Sequence, residues 1–372
     1  MNSKLILYVL VFHFPLIFAE SQIPLPHIAV QEGWETLLQI ENHSYSEETV
    51  NVEVFDGAKT SLTWNGQLTA LASETLQLTE GSCGMIRVSS ENVAVKVIYH
   101  HTFQKGVAEF LLQPLIQNAG PLDLLFPHYV RDSMSWQGYA LMNPGEADGT
   151  WLATAFDFEG NTLGTSTISI PAHSRIKGFL SNLFPHDGIT RVRLVGETQL
   201  SGLTLSGNGN AQLLFSKAVM PSVDMRDLPI PHIADDRQVW SNFLVFDNAA
   251  EEMATPELQL FRGDDLVYQE TLEIPGLTSL VIDLNDEAFL ESQTGLLLDL
   301  AEGLHVRSGF LVNHTGATAE FYLEPHVSKD EILSFPSYAN ADLTWNGIAL
   351  FNPGSEPADI IIKGMREGNE VI

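Results

Sequence analysis

A single cysteine, Cys83, stands among 372 residues, so no disulfide can close within the chain. Exported eukaryotic proteins of this size usually carry several bridges, and a cysteine-poor exported chain fits a bacterial envelope better. Cys83 also lies far from the N-terminus, which excludes a lipoprotein acylation site. A reactive thiol needs a base or a helix N-terminus beside it; in the loop EGSCGM, Cys83 reads instead as a small structural residue. Basic residues are scarce too. Lys and Arg total 18 against 47 Asp and Glu, a formal charge of −29. Such a surface repels phosphate backbones and anionic headgroups, which argues against nucleic acid and acidic membranes as partners. Glycans and other surface proteins remain compatible with it. Past the first twenty residues no run of 18 apolar residues occurs, so the mature chain has no expected transmembrane span. Enzyme motifs are missing as well: no G-x-S-x-G elbow, no H-E-x-x-H, no Walker loop and no Rossmann fingerprint. No catalytic residue and no cofactor site is therefore assigned.

What is present begins with a leader. Met1–Lys4 is a short, singly basic region, Leu5–Phe18 is apolar, and Ala19 offers a small residue before Glu20. This pattern predicts a signal peptide over 1–19, cleaved near Ala19, and an extracellular or cell-surface destination. Asn-x-Ser/Thr triplets at Asn42 and Asn313 would matter only in a eukaryotic secretory route.

The organising feature is a repeat. LPHIAVQEGWETLLQIEN, FPHYVRDSMSWQGYALMNPG, IPHIADDRQVWSNFLVFDN and FPSYANADLTWNGIALFNPG align on Pro26, Pro127, Pro231 and Pro336, spaced 101, 104 and 105 residues apart. A Trp follows each proline, as Trp34, Trp136, Trp240 and Trp345. Two further anchors hold the register: the acidic residues Glu91, Glu197 and Glu302, and the turns in FDFEGNTL, FRGDDLV and MREGNEV. The period predicts modules over 26–120, 127–222 and 231–327, and a fourth, 336–372, that stops within a domain.

Each module reads as all-β. Short apolar or β-branched runs such as TWLATAFDF are broken by Gly, Asp and Asn, with turn residues at intervals typical of an antiparallel sandwich, immunoglobulin-like or jelly-roll-like. RIKGFLSNLF (175–184) and LNDEAFLESQ (284–293) are each expected to make a helical turn or two, in a crossover covering one end of the sandwich. The pentapeptide LTWNG occurs at 62–66 and 343–347, but at different places in the repeat. Asn65-Gly66 reads as a two-residue hairpin turn, whereas the second copy leads a strand.

Candidate contacts are few. His27, His128 and His232 follow the module prolines, one per module, and the fourth copy has Ser337. Single histidines a domain apart lack the converging donors of a metal site, so they read as structural at module entrances. The repeated Trp reads as a core residue and, in the alternative, as an aromatic platform for sugars. Trp151, which has no counterpart in the other modules, is the better candidate for a surface contact. Acidic clusters such as DLNDEAFLE leave calcium open, although none has the spacing of a calcium loop.

The motif series ALMNPG, FDFEGNTLG, IPAHS and VRLVGETQLSG resembles tandem immunoglobulin-like β-sandwich modules of secreted bacterial proteins, and the resemblance covers 26–372. It implies a non-catalytic role in adhesion, spacing or recognition. A carbohydrate-binding region of a larger secreted hydrolase is the competing expectation.

Overall fold

The computed structural model describes residues 21–323 apart from 58, 91, 104–106, 116–120, 127–135, 208–213, 219, 222–226, 235, 290 and 313–317; further on it describes 365–366 and 369–370. The expected leader, the anchors Pro127, His128, Pro336 and Trp345, and nearly all of the fourth copy lie outside the described residues.

The first module contains β1 (Ser21–Leu25), β2 (Trp34–Asn42), β3 (Glu48–Asp56), β4 (Lys59–Leu68), β5 (Ser73–Leu78), β6 (Cys83–Val88), β7 (Val93–His101) and β8 (Val107–Leu111). They form two antiparallel sheets, ordered β1-β6-β3-β4 and β5-β2-β7-β8. In the second module β9 (Leu122–Leu125), β10 (Trp136–Asn143), β11 (Gly149–Phe156), β12 (Thr162–Ile170), β13 (Ser174–Phe179), β14 (Arg191–Gly196), β15 (Ser201–Gly207) and β16 (Leu214–Ala218) repeat both orders, and β17 (Met220–Pro221) is added beside β9. The third repeats them again with β18 (Asp227–Ile230), β19 (Trp240–Asn248), β20 (Glu257–Arg262), β21 (Asp265–Thr271), β22 (Ser279–Asp283), β23 (Thr294–Leu298), β24 (Leu304–Val312) and β25 (Thr318–Tyr322). In the fourth copy β26 (Met365–Arg366) and β27 (Asn369–Glu370) close the MREGNEV turn as a hairpin.

The chain is therefore nearly all β, in small antiparallel sheets that pair into sandwiches. The pairs of second with fifth strand and third with sixth are those of an immunoglobulin sandwich. The first and seventh strands have changed places: the first pairs with the sixth, and the seventh with the second. Pro26 and Pro231 follow their modules' first strands rather than opening the modules, and β9 likewise lies before 127, so each of the three described modules begins a strand upstream of its expected boundary.

Alternation explains the cores. In β3, Val50, Val52 and Val54 point inward and are fully buried, between Thr49, Asn51 and Glu53. They meet Leu38 and Ile40 of β2 and Val95 and Val97 of β7 from the facing sheet. Leu141, Trp151, Ala153, Val192 and Leu194 build the second core, and Leu244, Phe246, Leu258, Leu260 and Leu297 the third. Of the two expected helical stretches, 175–179 is strand, and only Leu180–Leu183 makes a helical turn. Glu287–Phe289 is a 3-10 turn. Both connect one sheet to the other and plug the cores with Leu180 and Phe184, and with Leu284 and Phe289.

Two turn expectations separate. The GDD hairpin turns at Gly263-Asp264, with Gly263 at φ 58° in the left-handed region. Asn65-Gly66 is not a turn. Both residues lie inside β4, opposite Asn51 and Val50, and the β3–β4 turn falls at 57–58. Trp64 folds over Gly66, where a Cβ would come within 2.0 Å of the ring. Glycine is there to receive an aromatic ring and not to bend the chain.

A buried asparagine ends the second strand of every described module: Asn42, Asn143 and Asn248, at 2%, 0% and 0% exposure. Each Oδ1 accepts from the backbone N–H two residues on. Each Nδ2 donates to the carbonyl four residues on and to carbonyls at the end of the hairpin that follows. The side chain thereby ties the second-strand turn to the crossing between sheets. This use also rules out Asn42 as a glycosylation site, because its amide is enclosed. Asn248→Ala, which strands the Glu252 carbonyl and takes one donor from each of the Ile274 and Pro275 carbonyls, is expected to cost about 2–3 kcal/mol. Urea unfolding of the full chain checks this, the third module's transition moving and the first module's staying put.

Candidate functional site

The repeated anchors do not converge. His27 is 9% exposed and lies 5.7 Å from Tyr99, whose hydroxyl donates to the His27 carbonyl at 2.8 Å. His232 takes the same corner of the third module, 5.8 Å from Phe310, but is exposed. Among the described residues no three His, Cys, Asp or Glu side chains gather as a metal site, and no helix is long and apolar enough to cross a membrane.

Neither are the tryptophans simple core residues. Trp34, Trp136 and Trp240 are half-buried, and they meet the rings of His101, Phe179 and Phe310 respectively edge-on. Counted back from the buried asparagine, Trp34 and Trp240 lie eight residues away and Trp136 seven. The odd spacing turns Trp136 to the opposite face of its sheet. There, with Ala140, Leu203 and Leu205, it packs on the first module's core. The surface role expected for Trp151 is overturned. It is 2% exposed, fills the second core, and donates its indole N–H to the Thr198 carbonyl at 3.1 Å.

Buried sulfur-bearing and charged side chains gather where modules meet. At the first junction Phe55, Cys83 and Met85 enclose Met142 of the next module. Cys83 Sγ points at the His173 carbonyl, 3.8 Å away, and Phe55 stacks at 5.4 Å on the His173 ring. Burial pushes the Cys83 thiol up to about 11, against the direction a nucleophile needs.

The second junction uses the same places with opposite chemistry. Arg191, 2% exposed, donates to the carbonyls of Asn248 at 2.7 Å and Leu277 at 2.8 Å, with its guanidinium 4.7 Å from the Phe156 ring. Arg193 holds Asp123 through both carboxylate oxygens and reaches the Ala249 carbonyl. From the third module Arg307 grips Asp247 at 2.7 and 2.9 Å and donates to the Phe126 carbonyl of the second at 3.2 Å. Ser279 completes Asp247, its hydroxyl donating at 2.7 Å, and its backbone N–H crosses to the Phe158 carbonyl. Burial, the largest cause, lowers the Arg191 pKa.

The first junction carries a pH dependence. Burial, and then the charges of Arg175 and Lys177 on the second module, push the His27 imidazole down to about 3. Unfolded, the ring titrates near 6.5, so below that pH the unfolded chain takes up a proton that the folded chain does not. Stability of the first module should fall from about pH 6.5 towards about pH 3. His27→Phe should flatten that slope, read from urea midpoints at about pH 7.5 and 5.

No protein-family model matches the chain, and a search of curated proteins finds no similar sequence.

Proposed function

We propose that this chain is a secreted or cell-surface repeat protein of non-catalytic role, an adhesive or spacing array whose modules are locked to one another. The observation that carries this reading is the construction of the junctions. Arg191, Arg193 and Arg307 are spent on carbonyls and carboxylates between modules two and three, and Met142 with Trp136 is spent between modules one and two. Freely swinging domains have small polar contacts instead. The net charge of −29 keeps such an array soluble and dissociated from polyanions. Burial of Trp151 removes the sugar platform best suited to a carbohydrate-binding reading.

Fractionation of producing cells, with antibody labelling of intact cells, tests the location. The chain is expected in the medium or on the surface, and recovery from the cytoplasm alone would sink the proposal. A glycan array probed with the full chain tests the role, and no glycan is expected to bind; saturable binding to one polysaccharide would move the reading to carbohydrate recognition.

A further inference from the structure

An open antiparallel sheet leaves edge strands, whose outward backbone N–H and C=O groups are a template for another chain. A charged residue or a proline on the edge discourages such pairing. Every edge strand of the three described modules carries one or the other, with one exception. Pro24 guards β1, Lys59 guards β4, Lys177 guards β13, Pro221 guards β17 and Asp265 guards β21. The exception is β12, the edge of the five-stranded sheet of the second module, which reads TLGTSTISI.

This strand is nine residues long and pairs with β11 on one side. The register shift between Ala155 and Phe156 disturbs the pairing only at the Thr162 end, so the ladder from Thr165 to Ile170 is regular. Ile168 and Ile170 point into the core, whereas Thr165, Thr167 and Ser169 are exposed. The outward residues of the adjoining β11 are Thr150, Leu152 and Thr154, and the Thr150 and Ser169 hydroxyls meet at 3.1 Å. Two neighbouring strands therefore show no charge, on a chain whose net charge is −29.

That combination selects the occupant. Two acidic chains repel wherever they meet through charged surface, and β12 is an edge on which they meet without it. The strand is also complementary to itself. With a two-fold axis at Thr167, that residue faces its own counterpart, and Thr165 faces Ser169 of the other copy on both sides. Thr–Thr and Thr–Ser pairs of this kind are favourable cross-strand neighbours. A charged peptide, by contrast, finds nothing on β12 to select it. The far edge of the same sheet is β17, with Pro221, so pairing through β12 closes at two copies and does not run on as a fibre.

We propose that β12 is a self-association edge, along which two copies of the chain pair antiparallel over Thr165–Ser169 and join their five-stranded sheets into one. The pairing goes beyond the end-to-end locking of modules within a chain, and it holds wherever the chain resides.

Sedimentation velocity of the full chain over a concentration series tests this. A monomer–dimer equilibrium is expected, and added NaCl should tighten it by screening the repulsion between the two acidic bodies. Thr167→Lys sets two ammonium groups opposite each other on the axis and should weaken the dimer at least about tenfold. Thr63→Lys, at an exposed position of the edge strand β4, should leave it unchanged. A chain that stays monomeric overturns the proposal. So does a dimer that salt weakens, which would be joined through charges, or one that Thr167→Lys leaves intact. A second readout covers a lysine variant that fails to fold. In a Cys83→Ser background under mild oxidation, Thr167→Cys should cross-link between chains at least about tenfold faster than Thr63→Cys, because a disulfide needs a short Cβ separation. Equal rates also overturn the proposal.

Discussion

Arg307→Ala is expected to destabilise the third module by about 3–5 kcal/mol, because it leaves Asp247 as a buried charge with its main partner gone. Asp247 is 0% exposed, and Arg307 supplies two of its hydrogen bonds, at 2.7 and 2.9 Å. The Ser279 hydroxyl, which also donates to Asp247, cannot neutralise a carboxylate. The same change frees the Phe126 carbonyl, so the second module loses one of its contacts across the junction. Removing both charges should be far milder, since a buried pair exchanged for apolar groups of similar volume is often nearly neutral. Urea unfolding followed by hydrogen exchange module by module separates the two, because three coupled domains need not unfold in one step. If Arg307→Ala costs under about 1 kcal/mol, the guanidinium is not the partner that holds Asp247.

Trp151→Ala should destabilise the second module by about 3–5 kcal/mol. Its ring fills the core beside Gly149 and Gly196, where a Cβ would come within 2.1 and 2.2 Å of it. Neither glycine has a side chain to swing into the void, and the Thr198 carbonyl loses its donor. Circular dichroism melts of the full chain should show the loss. A variant of unchanged stability that has lost a ligand would restore Trp151 to the surface.

The repeat was legible because its anchors are local. Prolines that end a strand, turns that need Gly or Asp, and alternating Val residues act within a few residues of themselves. The buried asparagine is equally visible in the sequence. It stands in IEN, MNPG and FDN, sixteen or seventeen residues after the module proline. Its role is hidden because the carbonyls it holds lie 26 or 27 residues further on. Asn65-Gly66 misled for the reverse reason. The dipeptide favours a turn, but Trp64 lies over Gly66 and the β3 ladder runs through both residues.

The sequence by itself determined an acidic chain of β modules, one cysteine, and a period of about a hundred residues, since composition and local backbone preference are properties of short stretches. Tertiary structure alone decided that Trp151 is inside, that Trp136 faces a neighbouring module while Trp34 faces its own core, and that Met85 and Arg191 each lie against the next module. A one-residue change in spacing reverses the face of a strand, and what that face then meets depends on a module a hundred residues away.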